Sequence, residues 1–106
     1  MKNDVLTIKS IQEKTTPIFK KYPVEKVILF GSYAKGNFTK NSDIDMYIDS
    51  NGELRGLDFV GLLEDLVVNL EIDVDLIDKT HIEPGSRVEK EISSGLVIYE
   101  KSKNNQ

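Results

Sequence analysis

Hydrophobic positions recur with a helical period in three segments of the chain. The first lies in an N-terminal helical segment, residues 1–22, where Pro17 predicts a break or a kink. The clearest helical pattern runs from Leu57 to Leu70, with Asp58 as the expected N-cap. A short last helix is predicted for Glu83 to Ser93. The buried face of the central helix is expected to consist of Val60, Leu63, Val67 and Leu70.

Four other segments have the pattern of β-strands. Ile44 to Ile48 and Ile72 to Ile77 alternate between apolar and polar side chains, which is typical of a strand with one buried face. Val24 to Phe30 reads as a buried strand, and Leu96 to Tyr99 as a final one. Helices and strands therefore alternate along the chain. This order predicts an α/β (α+β) fold in which helices pack on a small sheet of about four strands.

Length and composition suit a single folded domain, residues 1–106, with a flexible polar tail at 101–106. Hydrophobic residues make up 39% of the chain and charged residues 30%, as in globular proteins. No apolar run approaches the ~20 residues of a transmembrane helix, and no apolar leader follows Met1. The chain has no cysteine, which excludes disulfides and thiolate zinc sites. We therefore expect a cytoplasmic protein with no membrane partner.

The charge of the chain bears on its partners. The formal net charge is −4, and the basic residues are scattered rather than gathered into a patch. Direct binding of nucleic acid normally requires such a patch, so we do not expect it. A nucleotide whose phosphates are bridged by a cation remains compatible with an acidic site, because the cation reverses the local charge.

The strand that ends at Phe30 runs directly into Gly31-Ser32. Glycine has no Cβ, so the backbone of Gly31 can approach a ligand closely. A helical turn starting here would offer free N–H groups to a phosphate, and the Ser32 hydroxyl could donate a further hydrogen bond. The segment is therefore a candidate phosphate-binding bend.

Asp43 and Asp45 are two residues apart at the start of a strand, so their side chains point to the same face. Neighbouring carboxylates repel each other, and a hard divalent cation such as Mg²⁺ removes that conflict. A third carboxylate could come from the next strand. Asp73 and Asp75 share a face there, so periodicity leaves both open.

Together these residues resemble the signature of the minimal nucleotidyltransferase (MNT) domain of the DNA polymerase β-like nucleotidyltransferase superfamily. That signature is Gly-Ser, ten residues, then Asp-x-Asp, matched here by Gly31-Ser32 and Asp43-Ile44-Asp45. The strand with the family's third carboxylate is matched by Val74-Asp75-Leu76, and its ending by Val88 to Glu100. Lys35 stands where many members have Arg, which keeps a cation but loses bidentate contact. The resemblance implies a nucleotidyltransferase fold with a mixed sheet.

The resemblance also implies a reaction and a set of roles. A hydroxyl attacks the α-phosphorus of a nucleoside triphosphate, and pyrophosphate leaves. Asp43, Asp45 and Asp75 are the implied catalytic and metal-binding residues, with ATP as substrate and two Mg²⁺ ions. The implied nucleotide-binding residues are Gly31, Ser32, Lys35 and Ser42. The simpler interpretations are that Lys35 is a surface lysine and that Ser42 only caps the turn before Asp43.

Small MNT domains resemble the antitoxins of HEPN-domain toxins, which transfer AMP from ATP to a tyrosine of the toxin. The resemblance thus implies a HEPN-domain toxin as protein partner, and it leaves open whether the chain also associates with itself. Two alternatives stand beside it. One is a nucleotidyltransferase that modifies a small-molecule hydroxyl, such as that of an aminoglycoside. The other is a non-catalytic antitoxin that acts by binding alone.

Overall fold

The computed structural model describes residues 6–39 and 41–101, which form a four-stranded sheet with helices. The predicted α/β (α+β) class is confirmed. In chain order the elements are α1 (Ile8–Phe19), β1 (Lys26–Phe30), α2 (Gly31–Lys35), β2 (Ile44–Asp49), α3 (Leu57–Leu70), β3 (Val74–Asp78), a 3₁₀ turn (Lys79–His81), α4 (Arg87–Ser93) and β4 (Leu96–Glu100).

The sheet is mixed, and its strand order is β3-β2-β1-β4. Strand β2 is antiparallel to β1, with Phe30 opposite Asp45, and parallel to β3, with Asp45 opposite Asp75. Strand β4 is antiparallel to β1, with an irregularity between Val27 and Ile28. The end of β1 therefore lies beside the starts of β2 and β3. This edge of the sheet brings the glycine-serine bend and the aspartates together.

The core lies between one face of the sheet and helices α1 and α3, which pack against each other. Alternation in β2 places Ile44, Met46 and Ile48 in this core, so Asp45, Tyr47 and Asp49 point to the opposite face. Each such buried aliphatic side chain contributes ~1.5–3 kcal/mol by leaving water. The short helix α4 packs against β1. The face with the aspartates is therefore the more open one.

Helix α3 has the predicted limits, but its cap and its buried face differ from the prediction. Gly56 occupies the N-cap position, and Asp58 lies in the first turn instead. The fully buried line is Leu62, Leu66 and Leu70, whereas Val60 is 56% exposed. Of the four predicted residues, Leu70 is buried and Leu63 packs against the core, so the prediction was right in part. Apolar residues occupy most positions of this helix, so its apolar pattern does not define one narrow face.

Two other helix predictions need correction. Helix α1 continues through Pro17 and ends at Phe19, so this proline does not break it. Its start is fixed by a capping box between Thr7 and Ser10. Helix α4 begins at Arg87, four residues later than predicted, because the Ser86 side chain caps the backbone N–H of Glu89.

Parts of the terminal predictions lie outside the described residues. These are the first five positions of the predicted N-terminal segment and residues 102–106 of the predicted tail. Within the described part of the chain, none of the helices has the length and apolar character that crossing a bilayer requires.

Candidate active site

The bend after β1 depends on glycine for two reasons. Gly31 has φ +76°, which is in the left-handed region that other residues rarely adopt. A Cβ at this position would also collide with Asp45 Oδ2 and lie 3.1 Å from Asp45 Cγ. The missing side chain therefore makes room for the Asp45 carboxylate directly beside the bend.

Helix α2 starts at this bend and is only five residues long. No side chain caps its N-terminus, since the cap residue is Phe30. The half-exposed Ser32 is its second residue. Backbone N–H groups at such a terminus have no helical partner and favour an anionic ligand. The arrangement is chemically suited to the phosphate contact predicted for Gly31 and Ser32.

The sheet register favours Asp75 over Asp73 as the third carboxylate. Asp75 lies in β3 directly opposite Asp45, whereas Asp73 precedes that strand. The backbone carbonyl of Asp73 accepts a hydrogen bond of 3.0 Å from the Ile44 N–H. Asp43 comes two residues before Asp45, just outside β2. Asp45 is therefore the middle member of the predicted trio, and Asp75 is its neighbour across the strands.

The pKa of Asp45 reports on this crowding of carboxylates. Burial, followed by the charges of Asp75, Asp43 and Glu91 in that order, raises the pKa of Asp45 to about 6. Glu91 lies on α4 and was missed by the sequence analysis. Neither spacing nor a motif connects it with the signature, because its proximity depends on how α4 packs on the sheet.

The carboxylates of Asp43, Asp45 and Asp75 suit a hard divalent cation, since their oxygens are the ligands that such a cation prefers and their negative charges repel one another. The two ion pairs among the described residues, Lys9–Glu13 and Lys79–Asp49, leave the trio of aspartates untouched. In residues 6–39 and 41–101, no three carboxylate or imidazole groups are already gathered closely enough to hold a metal ion. Coordination by all three aspartates would therefore require their side chains to move together.

The positions of the other two predicted nucleotide-binding residues do not indicate a contact with nucleotide. Lys35 is exposed in the last turn of α2. The Ser42 hydroxyl oxygen accepts a hydrogen bond of 2.8 Å from the Thr39 N–H, and the Ser42 N–H donates to the Thr39 carbonyl at 3.0 Å. Ser42 thus shapes the loop that leads to Asp43. A direct contact of either residue with nucleotide stays a prediction.

Comparison with known proteins identifies the family. The sequence pattern described as "Polymerase beta, Nucleotidyltransferase" matches residues 13–104, which is most of the chain. The chain belongs to this nucleotidyltransferase family. The predicted resemblance is thereby confirmed, and so is the prediction that the protein is an enzyme of the nucleotidyltransferase class.

Individual relatives agree with this family. The nucleotidyltransferase is 40% identical over 93 residues to "Putative protein adenylyltransferase MJ1379" of Methanocaldococcus jannaschii, covering 85% of this chain and 92% of the relative. It is 29% identical over 85 residues to "Protein adenylyltransferase MntA" of Thermococcus cleftensis, covering 76% and 86%. A solved structure described as a toxin-antitoxin with AMP-PNP is 25% identical with a TM-score of 0.68, covering 87% and 75%.

Proposed function

We propose that this nucleotidyltransferase is the antitoxin of a HEPN-domain toxin and transfers AMP from ATP to a hydroxyl group of that toxin. The observation that carries the proposal is the register of Asp45 with Asp75 beside the Gly31 bend. This register supports the proposal because it brings a bend suited to phosphate and two carboxylates to one end of one sheet face. Nucleotidyl transfer requires this combination, since it must hold a polyphosphate and activate a hydroxyl.

Each residue has a defined role in the proposal. Gly31 and Ser32 bind the β- and γ-phosphates, with Lys35 and Ser42 as further contacts. Asp43 and Asp45 would hold a Mg²⁺ ion together with the triphosphate, and Asp75 would hold a second ion. Bound Mg²⁺ would neutralise the charge that develops on the phosphate oxygens.

The transfer step forms one bond at the α-phosphorus of ATP and breaks another. The acceptor oxygen forms a bond to the α-phosphorus of ATP, and the bond between this phosphorus and the bridging oxygen breaks. Pyrophosphate leaves with the electron pair, and the proton of the hydroxyl passes to the Asp75 carboxylate and then to water. The products are an AMP ester of the acceptor and pyrophosphate.

The relatives support the chemistry and the partner. The Thermococcus cleftensis relative is named a protein adenylyltransferase, and the similar solved structure is a toxin-antitoxin with AMP-PNP, an ATP analogue. Both descriptions point to an adenine nucleotide, and the first points to a protein as acceptor. The acidic net charge of −4 is also compatible with a protein acceptor rather than a nucleic acid.

The test combines the chain with ATP, Mg²⁺ and the protein encoded by the neighbouring gene. We expect the intact mass of that protein to rise by whole AMP units. Asp45→Asn and Asp75→Asn should each reduce the rate by roughly 100-fold or more, because they remove several kcal/mol of charge stabilisation from the transition state. Asp73→Asn is the matched control, since Asp73 precedes β3 and lies outside the register with Asp45.

The two alternative functions give different results in the same experiment. Transfer of AMP to an aminoglycoside but not to the protein would favour the small-molecule reaction. A partner that is silenced without any gain in mass, even by a variant lacking all three aspartates, would show that binding alone is sufficient. Normal transfer by Asp45→Asn would contradict the proposed site.

A further inference from the structure

Two aromatic rings stack next to the candidate active site. Tyr33 lies in α2, and Phe38 lies in the α2–β2 loop, residues 36–42. Their ring centroids are 4.2 Å apart and their planes are only 5° from parallel. Tyr33 is 4% exposed and belongs to the core, and the half-buried Phe38 packs against that core. The stack therefore joins the loop to the helix that begins at the glycine-serine bend.

The α2–β2 loop is held by backbone hydrogen bonds at its two ends. At its start, the Asn37 N–H donates to the Ser32 carbonyl at 3.2 Å. At its end lies the hydrogen-bonded turn between Thr39 and Ser42. Between these ends, Phe38 provides the apolar contact with the core. The other described loop residues before Ser42 are exposed, namely Gly36, Asn37, Thr39 and Asn41.

Asp43 depends on this loop more than the other two aspartates do. Asp45 and Asp75 lie within paired strands, whereas Asp43 is exposed and precedes β2. Besides burial and the charge of Asp75, the charge of Asp43 raises the pKa of Asp45, so these carboxylates are neighbours. A backbone segment without packing contacts samples many conformations, and ordering it costs conformational entropy. The contribution of Asp43 to cation binding therefore depends on how well the loop is ordered beforehand.

We propose that Phe38 is a positioning residue that acts through Asp43. Its stack on Tyr33 holds the α2–β2 loop in place before a complex of Mg²⁺ with nucleotide binds. Tyr33 directly follows Ser32, so the same stack links the bend suited to phosphate with Asp43. Preorganisation of this kind raises affinity, because less ordering is left to be done on binding. The inference rests on the proposed function, since that function assigns Asp43 to the cation.

Phe59 on α3 offers a matched control. It is also a half-buried phenylalanine that packs against the core. It lines a surface pocket with Asp78 and His81, at the opposite end of β3 from Asp75. Phe38→Ala and Phe59→Ala remove similar apolar contacts and should lower the Tm to a similar extent. An effect that only Phe38→Ala shows therefore reports on the loop rather than on a general loss of packing.

The first test measures the order of the loop without metal, nucleotide or partner. The ¹⁵N heteronuclear NOE values of the Ser42 and Asp43 amides report backbone motion on the picosecond-to-nanosecond timescale. We expect Phe38→Ala to lower both values. Phe38→Tyr, which keeps the stacked ring, and Phe59→Ala should leave them at the wild-type level. Unchanged values in Phe38→Ala would overturn the proposal, whatever the activity of the enzyme.

The second test measures binding of the nucleotide with its cation. AMP-PNP is titrated into the full chain in MgCl₂, and the heat of binding gives the Kd. We expect Phe38→Ala to raise this Kd roughly tenfold, which corresponds to about 1.4 kcal/mol. Phe38→Tyr and Phe59→Ala should bind like the wild type. A rise of equal size in Phe59→Ala would show that the loss is merely structural.

The third test measures transfer of AMP to the partner protein at different Mg²⁺ concentrations. Phe38→Ala should need roughly tenfold more Mg²⁺ for half-maximal rate, with an unchanged KM for the partner. At saturating Mg²⁺ and ATP its rate should return to the wild-type level, because Phe38 does not touch the reacting atoms. A rate that stays low at saturation would contradict a role in positioning alone.

The outcomes separate this proposal from the proposed function. If the wild type binds AMP-PNP with Mg²⁺ and transfers AMP, but Phe38→Ala binds with unchanged affinity, only the role of Phe38 is wrong. If the wild type binds no AMP-PNP in MgCl₂, the assignment of Asp43 to the cation is wrong, and so is the positioning role of Phe38. Binding by the wild type without transfer to the partner would contradict the proposed function alone.

Discussion

Gly31 and Asp45 are residues whose positions depend on each other. The glycine has no side chain where the Asp45 carboxylate lies, and its φ of +76° turns the chain from β1 into α2. Backbone conformation alone would explain a glycine here. The contact with Asp45 adds a second requirement, which concerns the candidate site rather than the fold.

Gly31→Ala tests whether this second requirement matters. We expect a loss of ~1–3 kcal/mol in the free energy of unfolding and a loss of AMP transfer, because the new Cβ displaces Asp45 and strains the backbone. Gly36→Ala is the matched control, since Gly36 has φ +80° but a methyl group added there would have nothing within 4 Å. Urea unfolding and the transfer assay would be compared; equal activity of the two variants would contradict the role of the contact.

The raised pKa of Asp45 predicts how stability depends on pH. A carboxyl group whose pKa rises on folding, here from 3.8 to about 6, stabilises the fold below pH 4, and this contribution is lost as the pH rises through 6. Asp45→Asn removes the buried charge. After allowance for solvent screening, we expect it to be more stable than the wild type by about 1–2 kcal/mol at pH 7.5 and equally stable at pH 4.

Denaturant midpoints from pH 4 to pH 7.5 would measure this difference in the absence of divalent cations. Asp73→Asn should keep the wild-type pH dependence, because Asp73 lies outside the group of charges that act on Asp45. A parallel pH profile for Asp45→Asn and the wild type would show that Asp45 is not the titrating group.

Sequence reasoning could place the individual residues only as far as local periodicity extends. It identified Gly31, Ser32, Asp43 and Asp45 because they are close together in the chain. Periodicity could not choose between Asp73 and Asp75, since their positions relative to Asp45 depend on the register of two strands that a whole helix separates. Only the family resemblance pointed to Asp75. Glu91 was out of reach for the same reason, because only the packing of α4 brings its charge near Asp45.

At the scale of elements, the hydrophobic pattern of α3 predicts the limits of the helix but not its buried face. Its limits were predicted correctly, but the buried face was rotated, because apolar residues occupy more than one side of the helix. The sheet and α1 decide which side is covered. That information lies in the tertiary packing and not in the hydrophobic period of the helix itself.

Paired truncations would verify the buried face of α3. Leu62→Ala should lower the free energy of unfolding by ~2–5 kcal/mol, because Leu62 is fully buried and its removal leaves a cavity in the core. Val60→Ala should change it by less than ~0.5 kcal/mol, since Val60 is 56% exposed. Thermal unfolding of both variants measures this, and equal losses would mean that the helix is rotated from the described position.

For the molecule as a whole, the topology explains why the residues of the candidate site lie together at one end of the sheet. The end of β1 meets the starts of β2 and β3 there, and each contributes a residue type that would be ordinary alone. The class of fold was predictable because helices and strands alternate clearly in the sequence. The cavity of about 570 Å³ on the sheet face that carries Asp45 was not, because β1, β2, α4 and β4 all contribute to its lining.

Crowding of carboxylates at this end of the sheet predicts that Mg²⁺ stabilises the whole molecule. A ligand that binds only the folded state stabilises it by about 2.7 kcal/mol at a hundredfold excess over Kd, and each kcal/mol raises the Tm by ~4–8 °C. We expect a larger rise at pH 7.5 than at pH 5, because protonation of Asp45 below its pKa of about 6 competes with the metal ion. Thermal unfolding in MgCl₂ against NaCl of equal ionic strength separates binding from screening. Asp73→Asn should keep the effect and Asp45→Asn should lose most of it, whereas equal rises in both salts would argue that the aspartates bind no divalent cation.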